Sequence, residues 1–209
     1  MSGTGVINYG SGNFTSVWNA LNYLDLEIHE VDSPEKMEGV DRLILPGVGA
    51  FPSAMARLKH LGMIDAMQNE VIGNRKPLLG ICIGMQVLAD LGTEFQECRG
   101  LGYVAGTVRR FDSDQLGLPV PHMGWNELTI LSDCPLFQRM SDSPSFYFVH
   151  SYRFEPKDSS STVATCEYGE DFCACVQNEH IFGVQFHPEK SQHDGLSLIH
   201  ISEPTRPYL

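Results

Sequence analysis

No apolar run in the chain reaches about 18 residues, so nothing in it reads as a membrane span. The first ten residues, MSGTGVINYG, have neither a basic start nor an apolar stretch behind it. No secretory signal is visible there, and a cytoplasmic location is the default expectation. Positive charge is scarce: 14 Lys and Arg stand against 26 Asp and Glu, a formal net charge of −12. A surface that acidic argues against nucleic acid or an anionic membrane as the partner. There is no CxxC pair, no internal repeat and no long low-complexity tract. The six cysteines therefore predict neither a metal site nor a disulfide framework. Cys173 and Cys175 alternate within a strand-like run and read as small buried hydrophobes. What is present is 209 residues, 42% hydrophobic and 19% charged, which fits one globular domain able to build its own core.

The first half alternates strand and helix patterns. Candidate strands are Gly5–Tyr9, Glu27–Val31, Asp41–Leu45 and Pro77–Cys82. Helical spacing covers Phe14–Leu24, Pro52 to about Asn74 with a break near Gly62, and Gly84–Leu91. Near-continuous apolar strands between helices predict a parallel sheet covered on both faces. The second half reads as strands with few helices: Tyr103–Phe111, Glu127–Leu131, Ser145–Tyr152, Thr162–Tyr168, Phe172–Gln177 and Ile181–Phe186. Antiparallel pairing is expected there, giving an α/β, three-layer, mixed and mostly parallel sheet. From Leu196 the chain reads LSLIHISEPTRPYL, with no helical or strand pattern continuing from HPEKSQHDG. That stretch resembles the translation of a sequencing-library adapter. Residues 1–195 are accordingly read as the domain and 196–209 as a non-native tail.

Gly80-Ile81-Cys82-Ile83-Gly84 joins a strand directly to a helix. This is the setting of a nucleophile elbow, with Cys in the reactive position. Tight backbone there needs small residues two places away on either side, and Gly80 and Gly84 supply them. A helix N-terminus behind the thiol favours thiolate and offers N–H groups to an oxyanion. Such a nucleophile needs a base, and the base needs an orienting group. His187-Pro188-Glu189 follows the last strand, although His122 and His150 also adjoin strands and elimination does not choose among them. Pro46-Gly47-Val48-Gly49 ends the third strand. It is either an ordinary turn or a nest of outward N–H groups. Gln86, taken alone, is a polar residue in the first turn of a helix.

GICIGMQ and FGVQFHPEKS together resemble the class I glutamine amidotransferases. The NYGSGN, LPGVGAF, HMGWN and YFVHSY blocks narrow the resemblance to the glutaminase subunits that serve histidine biosynthesis. The HMGWN and YFVHSY blocks weigh against amidotransferases serving anthranilate, guanylate or pyridoxal phosphate synthesis. The His-Pro-Glu segment weighs against a redox-sensing Cys elbow. The resemblance implies a triad of Cys82, His187 and Glu189 acting on glutamine. It implies oxyanion donors at Val48 or Gly49 and at Ile83, and substrate contacts from Gln86 and Ser151. It implies no metal or organic cofactor. It also implies a heterodimer with a (β/α)8 cyclase subunit, which receives the ammonia and makes imidazole glycerol phosphate and an aminoimidazole carboxamide ribotide. Asn13, Met123, Trp125 and Lys190 would face that partner. Trp125 is the anchor expected to matter most.

Overall fold

The computed structural model of the chain describes residues 3–138, 140 and 143–201. The first half runs β1 (Thr4–Ile7), α1 (Phe14–Tyr23), β2 (Ile28–Val31), β3 (Arg42–Gly47), α2 (Phe51–His60), α3 (Met63–Met67), β4 (Leu78–Cys82) and α4 (Ile83–Gln86). After these come β5 (Leu91–Gly92), β6 (Cys98–Arg99), β7 (Gly106–Arg110), α5 (Ser113–Leu116), β8 (His122–Glu127) and β9 (Thr129–Ile130). The chain then continues through β10 (Ser145–His150), β11 (Tyr152–Pro156), β12 (Thr162–Glu167), β13 (Asp171–Asn178), β14 (Ile181–Val184) and α6 (Gln192–Ile201).

Five strands in the order β2-β1-β3-β4-β14 run parallel and form the centre of the large sheet. β1 and β4 are buried along their whole length, as strands covered on both faces must be. Beyond β14 the sheet continues through β13, β11 and β7 by antiparallel pairing. Helices flank it, so the expected α/β architecture with a mixed sheet is what forms. β8 and β10 make a separate antiparallel ribbon. Its inner phenylalanines, Phe146 and Phe148, pack on Phe186, with ring centroids 3.9 and 5.7 Å away. That packing clamps the ribbon onto the segment leading to His187.

Several elements differ from the sequence expectation. The helix expected over Gly84–Leu91 is one turn long. The carbonyls of Val87, Leu88 and Ala89 accept bonds from the N–H groups of Leu101, Tyr103 and Gly102, so a distant segment takes the acceptors that a longer helix would use. β8 begins at His122, ahead of the expected strand, because Gly124 breaks the apolar alternation that would have marked it. Ser145–Tyr152 divides at Ser151 into β10 and β11, which belong to different sheets. α6 crosses residue 196 and continues to Ile201. Its buried stripe is Ser191, Gly195, Leu198 and Ile199, helical spacing whose first half is carried by small residues and so escapes a hydrophobicity reading. Residues 202–209 of the expected tail lie outside the described residues.

Candidate active site

The register places the site. Gly47 pairs with Cys82 at the ends of β3 and β4, and Val184 pairs with Ile81 at the end of β14. The segments that leave these three strands, Val48-Gly49, Cys82-Ile83 and Gln185-Phe186-His187, therefore emerge together. This is the carboxyl edge where open α/β sheets bind ligands.

Cys82 has φ +54 and ψ −108, a backbone state that L residues rarely hold. The crossing around it is close. A Cβ on Gly84 would lie 1.8 Å from the Leu45 carbonyl oxygen, and one on Gly80 would lie 2.5 Å from the Gly84 carbonyl oxygen. The elbow thus needs both glycines, for lack of room rather than for their φ.

His187 is completely buried, and its Nδ1 lies 2.8 Å from Glu189 Oε1. An ionised carboxylate only accepts, so Nδ1 carries the hydrogen and Nε2 is left to exchange a proton with the thiol. Asn13 Nδ2 donates to the same Glu189 oxygen at 2.9 Å. Burial opposes charge on Glu189, yet His187 and Asn13 hold its carboxyl below the usual range. Burial likewise lowers the imidazole pKa, but Cys82 and Glu189 outweigh it and raise the ring to about 9. His150 is the contrasting histidine. Burial drives it down to about 3, and its Nδ1–H donates to the Tyr152 carbonyl at 2.8 Å. Burial also lowers His122, so of the three histidines weighed in the sequence only His187 has a carboxylate against its ring and a raised pKa.

A cleft of about 430 Å³ opens over the thiol, within the range of small-molecule sites. Val48, Gly49, Cys82, Ile83, Gln86, Ser151 and His187 all line it, so these sequence candidates converge. Glu189 stands behind His187 with its side chain fully buried. Glu94, Pro121, Val149 and Tyr152 also line it and were not anticipated, and His150, weighed in the sequence beside His187, borders it too. The Val48 N–H is not free, because it donates to Ser11 Oγ at 2.9 Å. Gly49 has φ +102 with open space where a side chain would go.

Of the expected partner-facing residues, Met123, Trp125 and Lys190 are exposed. Asn13 is not. It is 3% exposed and donates to Glu189, so its side chain turns inward and presents no face to a partner. A polar residue just before a helix looks like a surface cap in sequence, and only the fold shows that it turns inward. Gln185 was missed altogether. It is a buried residue in an apolar strand run whose Nε2 donates to Cys82 Sγ at 3.7 Å.

The raised imidazole has a measurable signature. Cys82 is one of the groups that raises it, so Cys82→Ser should move the His187 titration midpoint down from about 9. NMR of ring-labelled histidine reads this, and an unmoved midpoint would separate the two residues electrostatically. The sign for stability follows. A histidine raised above its unfolded value stabilises the fold below about pH 6.5, and that contribution is lost as pH rises through about 9.

The glutamine amidotransferase class-I family model matches residues 5–199. The imidazole glycerol phosphate synthase subunit HisH 1 of Campylobacter jejuni (strain RM1221) is 45% identical over 194 residues, covering 93% of this chain and 96% of its own. Subunit HisH 2 of Vibrio vulnificus (strain YJ016) is 44% identical over 195 residues, 93% of this chain and 90% of its own. Among solved structures, one described as a glutamine amidotransferase superimposes with TM-score 0.73 at 21% identity, over 95% of this chain and 98% of its own. PurLQS from Thermotoga maritima gives TM-score 0.70 at 20% identity, over 95% and 96%. At that identity, the structural likenesses speak to the fold alone.

Proposed function

Because the chain belongs to the class I glutamine amidotransferases, we propose that Cys82, His187 and Glu189 hydrolyse glutamine as the HisH-type glutaminase of an imidazole glycerol phosphate synthase. The observation that carries this reading is the buried Glu189–His187 pair, 2.8 Å apart, beside a thiol held at a strand–helix elbow. The thiolate attacks the carboxamide carbon of glutamine. Backbone N–H groups at Ile83 and in the Val48-Gly49 turn hold the resulting oxyanion. His187 Nε2 passes its proton to the leaving nitrogen, and ammonia departs. Water then attacks the γ-glutamyl thioester with His187 as base, and glutamate leaves. Glu189 keeps the imidazole in the tautomer that both steps need, and Asn13 keeps Glu189 in place. Gln86 Oε1 is buried without a partner and borders the cleft, which suits an acceptor for the substrate α-ammonium. Ser151 stands on the same wall.

The partner is a (β/α)8 cyclase that takes the ammonia before water protonates it, in a cytoplasmic heterodimer. Met123 and Trp125 of β8, with Lys190, give it an exposed face. Trp125 pairs across the ribbon with Tyr147, whose carbonyl accepts the His187 backbone N–H. A partner seated on Trp125 is therefore one strand away from the base.

The test compares two nitrogen sources. With a cyclase and its nucleotide substrate, His187→Ala should abolish glutamine-dependent product and leave ammonia-dependent product intact. Loss of both would sink the assignment.

The same reading includes a switch. An oxyanion donor must aim at the developing charge, and a missing one costs about a hundredfold or more. While Val48 donates to Ser11 Oγ, it cannot do so. Ser11→Ala should therefore raise glutamine hydrolysis by the free subunit about tenfold or more, with little change in the partnered rate. A free-subunit rate that stays put would remove Ser11 from the switch.

A further inference from the structure

The hydrogen bonds around Cys82 fix the direction of one amide that plays no part in the triad. A backbone carbonyl only accepts, so the Tyr152 carbonyl, 3.1 Å from Gln86, must take an amide hydrogen. That sets the Gln86 amide with Nε2 toward Tyr152. The same Nε2 lies 2.9 Å from Gln185, so the Gln185 atom facing it is the acceptor, Oε1. Gln185 Nε2 is left on the opposite side, and it lies 3.7 Å from Cys82 Sγ. Gln185 and Gln86 are 0% and 2% exposed, so both amides are shielded from bulk solvent. A glutamine amide is otherwise free to be assigned either way round. Here one backbone carbonyl decides both.

We propose that Gln185 is a catalytic residue of the glutaminase, a fixed N–H donor that holds the Cys82 sulfur as thiolate, and that Gln86 is the positioning residue that keeps the donor aimed. The proposal rests on the glutaminase reading for its kinetics but not for its chemistry at sulfur. A hydrogen bond to a charged acceptor is worth more than one to a neutral acceptor, so the donor favours the charged nucleophile over the thiol. His187 must give up its proton to the leaving nitrogen. Gln185 does not exchange its hydrogen, so sulfur keeps one constant donor through attack, thioester formation and hydrolysis. The arrangement also joins substrate binding to the nucleophile. Gln86 Oε1 is the buried orphan acceptor at the cleft, and Gln86 Nε2 orients Gln185.

The experiment uses the full chain with its cyclase partner. Gln185→Met keeps the side chain's length and removes the donor. The expected result is a fall in kcat of about tenfold to a hundredfold, the span of a hydrogen bond to a charged group, with KM for glutamine within about threefold. Iodoacetamide alkylation of Cys82 at neutral pH should slow by a similar factor. So should loss of the ultraviolet thiolate absorbance that Cys82→Ser defines. Gln86→Leu does not touch sulfur, yet it should also slow alkylation, because the Gln185 amide is then free to turn. Alkylation unchanged in Gln185→Met overturns the proposal. Alkylation slowed in Gln185→Met but not in Gln86→Leu overturns the aiming role. If the wild-type complex fails to hydrolyse glutamine, the glutaminase reading falls, and alkylation still decides whether Gln185 holds the thiolate. Should Gln185→Met not fold, Gln185→Glu keeps the shape and puts an acceptor against sulfur. Alkylation should then slow at least as much, and an unchanged rate overturns the proposal.

Discussion

Cys82→Ala is expected to lower glutamine hydrolysis on the order of a millionfold while the protein remains folded. The size of the loss follows from geometry. The other five cysteines lie elsewhere in the fold, and none borders the cleft. His187 without a thiol can only act on water, which lacks the elbow's placement. The fold should survive because alanine has the same Cβ as cysteine. It therefore meets the same penalty at φ +54 and no new contact. Unfolding in urea should change by about 1 kcal/mol at most. The variant should still support ammonia-dependent synthesis with the cyclase. A glutamine-like chloroketone should label Cys82 before any other thiol. Cys98 is the best-exposed competitor, and its own burial pushes its thiol up. Preferential labelling of Cys98, or near-normal turnover in Cys82→Ala, would sink the nucleophile assignment.

Gly84→Ala carries the largest stability effect expected in the chain. Its Cβ would sit 1.8 Å from a backbone oxygen of β3, far inside any contact distance, and 3.4 Å from the Leu45 side chain. A backbone oxygen in a central parallel strand cannot step aside without breaking the ladder between β3 and β4. The substitution should cost about 5 kcal/mol or more, enough to prevent a folded product at ordinary temperature. Gly117→Ala is the control. It has φ +65 but no atom within 4 Å of the added Cβ, so only backbone strain remains. Its cost should be about 1–3 kcal/mol. Equal denaturation curves for the two variants would show that the crossing of β3 and α4 is looser than these distances imply.

How much of this was legible in the residues depended on whether neighbours in sequence carried the signal. Three strands of the parallel centre were, because VINY, DRLIL and PLLGIC are largely apolar and bounded by turns; β14 was not, since the antiparallel pairing expected of the second half misses its parallel pairing with β4. The elbow was, because two glycines flank one cysteine between a strand and a helix. The burial of the His187–Glu189 pair was not, since His122 and His150 adjoin strands as His187 does. What separates them is a carboxylate two residues away that must also be pointing inward. Asn13 and Gln185 were illegible for opposite reasons. Asn13 looked like a surface residue because it is polar and opens a helix. Gln185 looked like strand filler because it sits in GVQF. Both contacts cross more than a hundred residues, 176 and 103 respectively. The short α4 belongs with these, since residues 101–103 decide where it stops.

The contact between Asn13 and Glu189 spans 176 positions, nearly the length of the domain, and the nucleophile lies between them. A ribosome making this chain therefore exposes Asn13 first, the Cys82 thiol next, and His187 with its carboxylate after both. β14, which delivers His187, has to slide in alongside β4 after every intervening segment has been synthesised. Until then the thiol has no imidazole beside it. Assembly of the site thus waits for synthesis of the His187–Glu189 segment, and a nascent chain that stops short of it holds the elbow without the imidazole.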